Sequence, residues 1–484
     1  MTNRWIALTV LCVGVLMIIL DATIVNVALP SIQSDLGFSQ SSLAWVVNAY
    51  LISFGGLLLL AGRLGDLLGR RRIFLIGLTL FTAASFVCGL ADTQGLLVGA
   101  RFVQGIGGAM TAAVILGMIV TMFPKPREQA RAIGVYSFVA AAGGSIGLLA
   151  GGGLTQAINW HWIFFVNVPI GIATAALALR LIVRDEGIGL KEGADVAGAV
   201  LITSSLMLLV YTIVKASDYG WGSAHTLGFG AGALALLAGF VWREHTARQP
   251  LMPLRIFRSR LVSAANAVQA LMVAGMFGMF FLGALYLQRV LGYDAIEVGL
   301  AFLPVAVLIA VLSLGVSARL NMRFGAQATL LPGLALIVGG LLLFARAPVD
   351  AHYVTQVLPG MVLLGVGAGI SFPSLMTLAM SGATRAESGL ASGLVNTSQQ
   401  VGGALGLAVL ATLSTTHTAS LRAEGHSFAS SLTSGFHLAF VIGAALVVAA
   451  IVLASTVLRS APEAVDTESD PEPVAAEPLY EQAA

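Results

Sequence analysis

The sequence predicts an all-α protein that crosses a membrane many times. Of its 484 residues, 57% are hydrophobic and only 10% are charged, and the mean hydropathy is +0.92. Water-soluble domains carry about 25% charged residues. The apolar residues also gather in long runs, each close to the roughly 20 residues that a helix needs to span a bilayer. Together these observations exclude a soluble globular fold.

Fourteen apolar runs can be counted along the chain. They lie near residues 5–29, 43–61, 73–91, 96–122, 133–156, 162–183, 194–215, 225–242, 262–288, 297–318, 328–346, 354–378, 389–415 and 436–458. The first run is too long for a cleaved signal sequence and lacks a small-residue cleavage site, so it is interpreted as a spanning helix. An even number of spans places both ends of the chain on one side of the membrane.

The basic residues indicate which side that is. If the runs alternate across the membrane, 20 of the 25 Lys and Arg residues fall on the side of the N-terminus and four on the other, while Arg101 lies inside a run. Basic loops concentrate on the cytoplasmic side. The asymmetry therefore predicts a plasma-membrane protein with both termini in the cytoplasm.

A strongly charged loop, GRLGDLLGRRR at residues 62–72, separates the second and third runs. Its charge alone indicates a cytoplasmic anchor. The pattern of Gly62, Asp66, Gly69, Arg70 and Arg71 also resembles the signature loop between helices 2 and 3 of major facilitator superfamily transporters, which gates the cytoplasmic side. The resemblance implies that Asp66 pairs with a basic residue on a neighbouring helix, with both arginines completing the network.

Two ionisable residues, Asp21 and Arg101, lie inside apolar runs, where an unpaired charge costs several kcal/mol; they are therefore functional candidates. Asp21 is about 12 Å along a helix from Pro30, so its side chain reaches water with difficulty. Burial disfavours an ionised carboxyl, which suits reversible protonation or attraction of a cation. Arg101 shares a helix face with Gln104 three residues later. The alternatives are an aspartate that reaches the surface and an interfacial arginine.

Three strings strengthen the functional interpretation by resemblance. LDATIVNVALP at 20–30 resembles the first-helix signature of the fourteen-helix drug:proton antiporter subfamily. RFVQGIGGAM at 101–110 resembles the fourth-helix motif, whose arginine is assigned to proton transfer. WHWIFFVNVPIG at 160–171 also resembles these exporters.

A glycine-rich string, GGSIGLLAGGGL at 143–154, predicts a kinked or tightly packed helix. It resembles the antiporter motif of the exporters, with Gly147, Gly151 and Gly152 in register. Leu148 stands where the motif has proline, which weakens the inference of antiport from this string alone.

A stripe of polar residues marks the run at 389–415. Asn396, Gln399, Gln400 and Gly403 share one helix face. Amides in a membrane bond to other helices or line a wet cavity, so both a structural role and substrate contact stay open. Related exporters often have an arginine at the position of Gln399.

The run at 262–288 carries Met272, Met276 and Met279 on one face. Flexible thioethers suit a pocket for varied lipophilic molecules. Such a stripe also fits simple packing or lipid contact, and both interpretations stay open.

A weak internal repeat predicts the domain organisation. ARLNMRFG at 318–325 partly repeats GRLGDLLG at 62–69, which fits two related halves. The end of the chain is acidic and proline-containing and predicts disorder. The expected units are a six-helix half at 1–184, two inserted helices within 185–260, a second six-helix half at 261–459 and a disordered tail at 460–484.

These features predict a proton-coupled exporter of lipophilic drugs or antibiotics, a class that includes cationic ones. The alternatives are a dedicated exporter of one antibiotic or metabolite, a membrane enzyme and a channel. The chain has no phosphate-binding loop, no metal-like histidine cluster and no nucleophile elbow. We therefore expect no enzyme activity, no ATP, no metal or other cofactor and no nucleic acid. The expected partners are a lipophilic substrate, protons and the bilayer, and we expect a monomer.

Overall fold

The computed structural model describes residues 2–123, 125–183, 195–248, 250–252, 254–381 and 388–458, together with residues 185, 187 and 189. These residues form sixteen α-helices and no strand. The helices are α1 Thr2–Leu36, α2 Gln40–Leu68, α3 Arg70–Gly89, α4 Gln94–Met122, α5 Pro126–Ala157, α6 Trp162–Phe165, α7 Asn167–Leu181, α8 Val196–Tyr219, α9 Ala224–Thr246, α10 Arg260–Arg289, α11 Ala295–Val311, α12 Ser317–Phe324, α13 Ala326–Phe344, α14 Leu358–Ser381, α15 Ser388–Ala423 and α16 Phe428–Val457. A 3₁₀ turn at Leu254–Arg258 leads towards α10, and π-helical turns at Leu312–Val316 and Tyr353–Val357 adjoin α12 and α14. The predicted acidic tail lies outside the described residues.

Twelve helical stretches in the described part of the chain are long and apolar enough to cross a membrane. The predicted count of fourteen is not confirmed. The two remaining apolar runs coincide with α5, which has 32 residues, and with the continuous helical stretch from α11 to α12, whose first segment has 17 residues.

The first helix is longer than the sequence indicated, since α1 runs from Thr2 to Leu36 and contains Pro30. Proline removes one backbone hydrogen bond, yet the helix continues through it. Asp21 is consequently fifteen residues from the end of α1, about 22 Å at the helical rise, and lies near its middle.

Side-chain contacts define the two ends of the bundle. Arg4 at the start of α1 donates to the Met122 carbonyl at the end of α4, and Arg70 at the start of α3 donates to the Gly117 carbonyl. We call this the basic end. At the other, distal end, Gln94 at the start of α4 donates to the Leu36 carbonyl of α1.

The helices pack as two groups that meet along two seams. In the first group α1 lies along α5, and α2 and α3 lie along α4; in the second, α10 lies along α15 and α16, and α13 along α14. The seams are α2 against α15 and α5 against α11. The α8–α9 hairpin attaches at the first seam, where α8 contacts both α2 and α15.

Three side-chain hydrogen bonds join the two groups at the distal end. They are Arg289 Nη2 to Gln33 Oε1 at 2.8 Å, Gln156 Nε2 to Asp294 Oδ2 at 2.9 Å and Gln288 Nε2 to the Val27 carbonyl at 3.0 Å. The bundle is therefore held closed at this end in the conformation seen here.

Candidate functional site

The first helix group contains a fully buried ion pair. Arg101 Nη1 donates to Asp21 Oδ2 at 2.5 Å, and neither side chain is exposed to any degree. α1 supplies the carboxylate near its middle and α4 supplies the guanidinium. Both sequence-predicted intramembrane charges thus meet, although they are eighty residues apart.

Neutral amides complete the coordination of the Asp21 carboxylate. Gln104 Nε2 donates to Asp21 Oδ1 at 2.8 Å, and its own Oε1 accepts from Arg101 Nη1 at 2.8 Å. Asn167 Nδ2 from α7 donates to the same Asp21 oxygen at 3.1 Å. All of these side chains are fully buried. One carboxylate therefore ties three helices together.

The guanidinium of Arg101 is held independently by α2. Its Nε donates to the Val46 carbonyl at 3.0 Å, and its centre lies 4.4 Å from the centroid of the Tyr50 ring. Gly105 allows this contact, because a β-carbon placed there would lie 2.5 Å from the Tyr50 carbonyl oxygen. Arg101 is thus fixed by two groups of partners, one that includes the Asp21 carboxylate and one on α2.

Three polar atoms around the pair have no hydrogen-bond partner among the residues that the structure describes. These are Arg101 Nη2, Asn167 Oδ1 and the Tyr50 hydroxyl. Buried polar groups in proteins are nearly always paired, because an unpaired one costs about 1–3 kcal/mol.

The glycine-rich helix α5 brings α1 close to its neighbours beside Asp21. A β-carbon on Gly147 would meet the Thr23 hydroxyl, and one on Gly151 would lie 2.7 Å from the Ile24 carbonyl oxygen. Gly152 faces α11 instead, with the Ala295 carbonyl oxygen 2.5 Å from a β-carbon placed there. The predicted glycine face therefore packs against the helix that carries the buried carboxylate and against the second helix group.

The charged loop forms only part of the expected network. Arg70 donates to Asp66 Oδ1 through Nη2 at 3.0 Å, and to the Gly117 carbonyl of α4 at 3.0 Å. Arg71 instead donates to the Leu179 carbonyl at the end of α7. Gly62 approaches α4, and Gly69 adopts φ +95° between α2 and α3. The expectation that Arg71 joins the Asp66 network is not met, because its side chain turns towards α7.

The carboxylate at the start of α3 is Asp185, which the sequence analysis did not single out. Its oxygens accept from the backbone N–H groups of Arg70 at 2.6 Å and Arg71 at 3.0 Å. A carboxylate there satisfies amides that a helix N-terminus leaves free and complements the helix dipole. Asp66 does not take this position and accepts from the Arg70 guanidinium instead.

The amide stripe of α15 faces the seam with α2. A β-carbon on Gly55 of α2 would lie 2.7 Å from Cβ of Gln400, whose Oε1 has no partner. Gln399 is half-buried and Asn396 is exposed. Among the described residues, the hydrogen-bond partners of the Asp21 carboxylate are Arg101, Gln104 and Asn167, and no amide of the stripe is one of them.

Met272, Met276 and Met279 of α10 are buried in the packed core. Gly283 on the same face has the Phe302 ring of α11 as a neighbour. In this conformation the methionine stripe fills space between helices, and its role in substrate contact stays a prediction.

Sequence reasoning missed Asn167, Ser85 and Tyr50. Asn167 lies inside the string at 160–171 that was noted only for its resemblance. Its signal was a polar amide in an apolar run, the same signal that identified Gln104. Ser85 and Tyr50 carry no such signal, because single hydroxyls are common in membrane helices.

Most of the chain matches one known protein family. A family model described as Major Facilitator Superfamily matches residues 11–407. The chain belongs to the Major Facilitator Superfamily. Family membership and the twelve apolar spans make it a multi-pass membrane protein.

Full-length relatives agree with this family. The chain is 38% identical over 472 residues to the puromycin resistance protein of Streptomyces alboniger, covering 96% of this chain and 93% of the relative. It is 37% identical over 466 residues to the cephamycin export protein of Amycolatopsis lactamdurans, covering 95% and 94%. It is 34% identical over 411 residues to a multidrug resistance protein of Mycobacterium tuberculosis, covering 84% and 76%.

Solved structures share the fold. A bacterial homologue of the human lysosomal transporter Spinster, in an inward-facing and unoccupied conformation, matches with TM-score 0.67 and 18% identity, covering 95% of this chain and 99% of that one. At this identity the likeness establishes the major facilitator fold and no more. The family and its resistance and export relatives indicate a transporter rather than an enzyme.

Proposed function

We propose that this protein exports drugs or antibiotics in exchange for protons, and that Asp21 is the group that binds and releases the proton. The observation that carries the proposal is the ion pair with no exposed atoms between the middle of α1 and the first third of α4. Replacing a buried ion pair by packed apolar residues is often neutral or stabilising. Stability alone therefore gives no reason to keep such a pair, whereas proton exchange does.

Protonation of Asp21 would change the balance of forces on four helices. The ionised carboxylate attracts Arg101 and Gln104 of α4 and Asn167 of α7. A neutral carboxyl attracts the guanidinium far less, while α2 still holds Arg101 through the Val46 carbonyl and the Tyr50 ring. The position of α1 relative to α2, α4 and α7 then depends on the proton. α1 also contributes Gln33 and the Val27 carbonyl to the contacts that close the distal end. The proton on Asp21 would therefore influence these contacts as well.

The names of the relatives support antibiotics as the exported substrates. Those quoted above are named for resistance to puromycin, export of cephamycin and multidrug resistance. The first two, like an exporter of tetracenomycin C from Streptomyces glaucescens, are each named for one compound. This favours a second candidate, a dedicated exporter of one antibiotic or metabolite with the same fold and coupling.

The organisation predicted from the sequence completes the proposal. α5 and the α11–α12 stretch would join the twelve spans, giving fourteen in all. The chain would then divide into halves at 1–184 and 261–459 around the inserted α8–α9 pair within 185–260. The basic end would face the cytoplasm of the plasma membrane, with both termini, and Asp66, Arg70 and Arg71 would hold that side closed. Reporter fusions after residues 190, 220, 250 and 460 should give inside, outside, inside and inside; an outside result at 250 overturns this arrangement.

Drug accumulation in cells tests the function. A host without its own pumps, with and without this protein, would be loaded with puromycin or with ethidium as a lipophilic cation. We expect lower accumulation with the protein, abolished by a protonophore. Protonophore-insensitive flux would indicate a channel. A panel of unrelated drugs separates the two export candidates, because a dedicated exporter moves one chemotype only.

A further inference from the structure

We propose that Asn167 is the positioning residue that sets the proton affinity of Asp21, and that Ser85 holds it in place. This inference rests on the proposed function and names a residue that neither the family match nor the relatives assign. Asn167 is the first residue of α7 and is fully buried between α1 and α3.

The Asn167 amide nitrogen has two hydrogen atoms and uses both. One bond goes to Asp21 Oδ1 and the other to Ser85 Oγ, each at 3.1 Å. Ser85 Oγ in turn donates to the Phe164 carbonyl at 2.9 Å, so its hydroxyl hydrogen is occupied and its oxygen is free to accept. Both bonds therefore run in the same direction, from the Asn167 amide nitrogen to an accepting oxygen.

This direction favours the ionised carboxylate. Turning the amide around would place Asn167 Oδ1 against the Asp21 oxygen and lose both donated bonds. Among the donors described for Asp21, Gln104 and Arg101 belong to α4, and Asn167 alone comes from another helix. It is thus the contact that a relative movement of α7 against α4 would remove first.

The unpaired Oδ1 of Asn167 suits the other protonation state. This atom is buried and accepts no hydrogen bond among the described residues. A protonated carboxyl needs an acceptor for its O–H. Rotation of the amide would present Oδ1 to that O–H, and the Ser85 hydroxyl could rotate together with the amide. Asn167 can therefore accept from the protonated state as well as donate to the ionised one, but the accepting orientation gives up the bond to Ser85 Oγ, so the residue favours the ionised carboxylate.

The sign of the effect follows from the bonds. Asn167→Leu has nearly the same shape but removes one donor from the ionised carboxylate, so the proton is held to higher pH. A hydrogen bond of ordinary strength to a charged group corresponds to a shift of about one unit in the midpoint of its titration. Ser85→Ala keeps the amide but frees it to turn, and should shift the midpoint in the same direction by less.

The test uses the purified full-length protein, and its spectroscopic part needs no substrate. Infrared difference spectra over a pH series would follow the protonated-carboxyl band that Asp21→Asn removes. We expect the midpoint of this band to rise by about one unit in Asn167→Leu and by less in Ser85→Ala. The pH at half-maximal ethidium export should move by the same amount. Asn26→Leu is the matched control, because Asn26 donates only to the Ala22 and Thr23 carbonyls of its own helix; it should leave the midpoint unchanged.

The outcomes separate the two proposals. An Asp21 band that titrates with the same midpoint in wild type, Asn167→Leu and Ser85→Ala overturns the role of Asn167 and leaves the function standing. Equal shifts in Asn26→Leu and Asn167→Leu also overturn it, because the effect would then be general. Absence of any titrating band that depends on Asp21 overturns the function and this inference together. If Asn167→Leu fails to fold, Ser85→Ala decides the question by itself.

Discussion

Two aspartate–arginine pairs in this bundle have similar chemistry and different surroundings. Asp21 and Arg101 are 2.5 Å apart with both side chains unexposed, and they join two helices. Asp66 and Arg70 are 3.0 Å apart, four residues from each other, with 47% and 31% of their side chains exposed. Water screens the second pair, whereas the first has only protein partners.

The difference in exposure predicts a difference in energy and in role. Exposed ion pairs contribute about 0.2–1 kcal/mol. Removing one partner of a buried pair costs about 3–5 kcal/mol, because the remaining charge stays buried. The buried pair can therefore couple a proton to the packing of helices. The exposed pair can act only through the position of the loop that carries it.

The largest effect is expected when Arg101 is removed. Arg101→Gln should destabilise the protein by about 3–5 kcal/mol where Asp21 is ionised, and by less at low pH, where protonation removes the unpaired charge. Thermal unfolding of the purified protein over a pH series measures this. The double variant Asp21→Asn/Arg101→Gln should recover part of the loss. Additive losses would mean that the pair is not coupled.

A smaller effect is expected where α5 meets α1 beside the buried pair. Gly147→Ala places a methyl group against the Thr23 hydroxyl, and crowding of this kind costs about 1–3 kcal/mol. Export should fall because α1 is displaced. Gly144→Ala, three residues away with nothing within 4 Å of its added carbon, is the control and should export normally. Equal export by both variants would show that the close approach has no function.

The smallest change in stability is expected at the exposed pair. Asp66→Asn should alter the free energy of unfolding by about 1 kcal/mol or less, yet lower export because the loop is held less firmly. Asp218→Asn is the control, since Asp218 forms a similar exposed pair with Lys215 at the far end of α8. Normal export by a well-expressed Asp66→Asn protein would reduce the loop to a topological anchor.

The sequence predicted the parts of this comparison that depend on hydrophobicity. Asp21 and Arg101 were identifiable because charges are rare in apolar runs, and Gln104 because it shares a helix face with Arg101. The partner of each charge could not be predicted, because contacts between residues eighty positions apart leave no local pattern in the sequence. Ser85 and Asp185 were missed for that reason, whereas Asn167 did carry a signal, an amide inside an apolar run. The end of α1 was misplaced because Pro30 suggested a helix terminus, whereas the helix continues past it.

The most direct test of the central claim is proton movement in vesicles that contain purified Asp21→Asn. A trapped pH-sensitive dye would report protons while a drug identified in the accumulation panel is added, with wild-type protein as the reference. Wild-type protein should move protons against the drug and concentrate it when a pH gradient is applied. Asp21→Asn should bind the drug but neither move protons nor concentrate it. If Asp21→Asn still concentrates the drug, with an unchanged response to external pH, the buried pair is not the site of coupling.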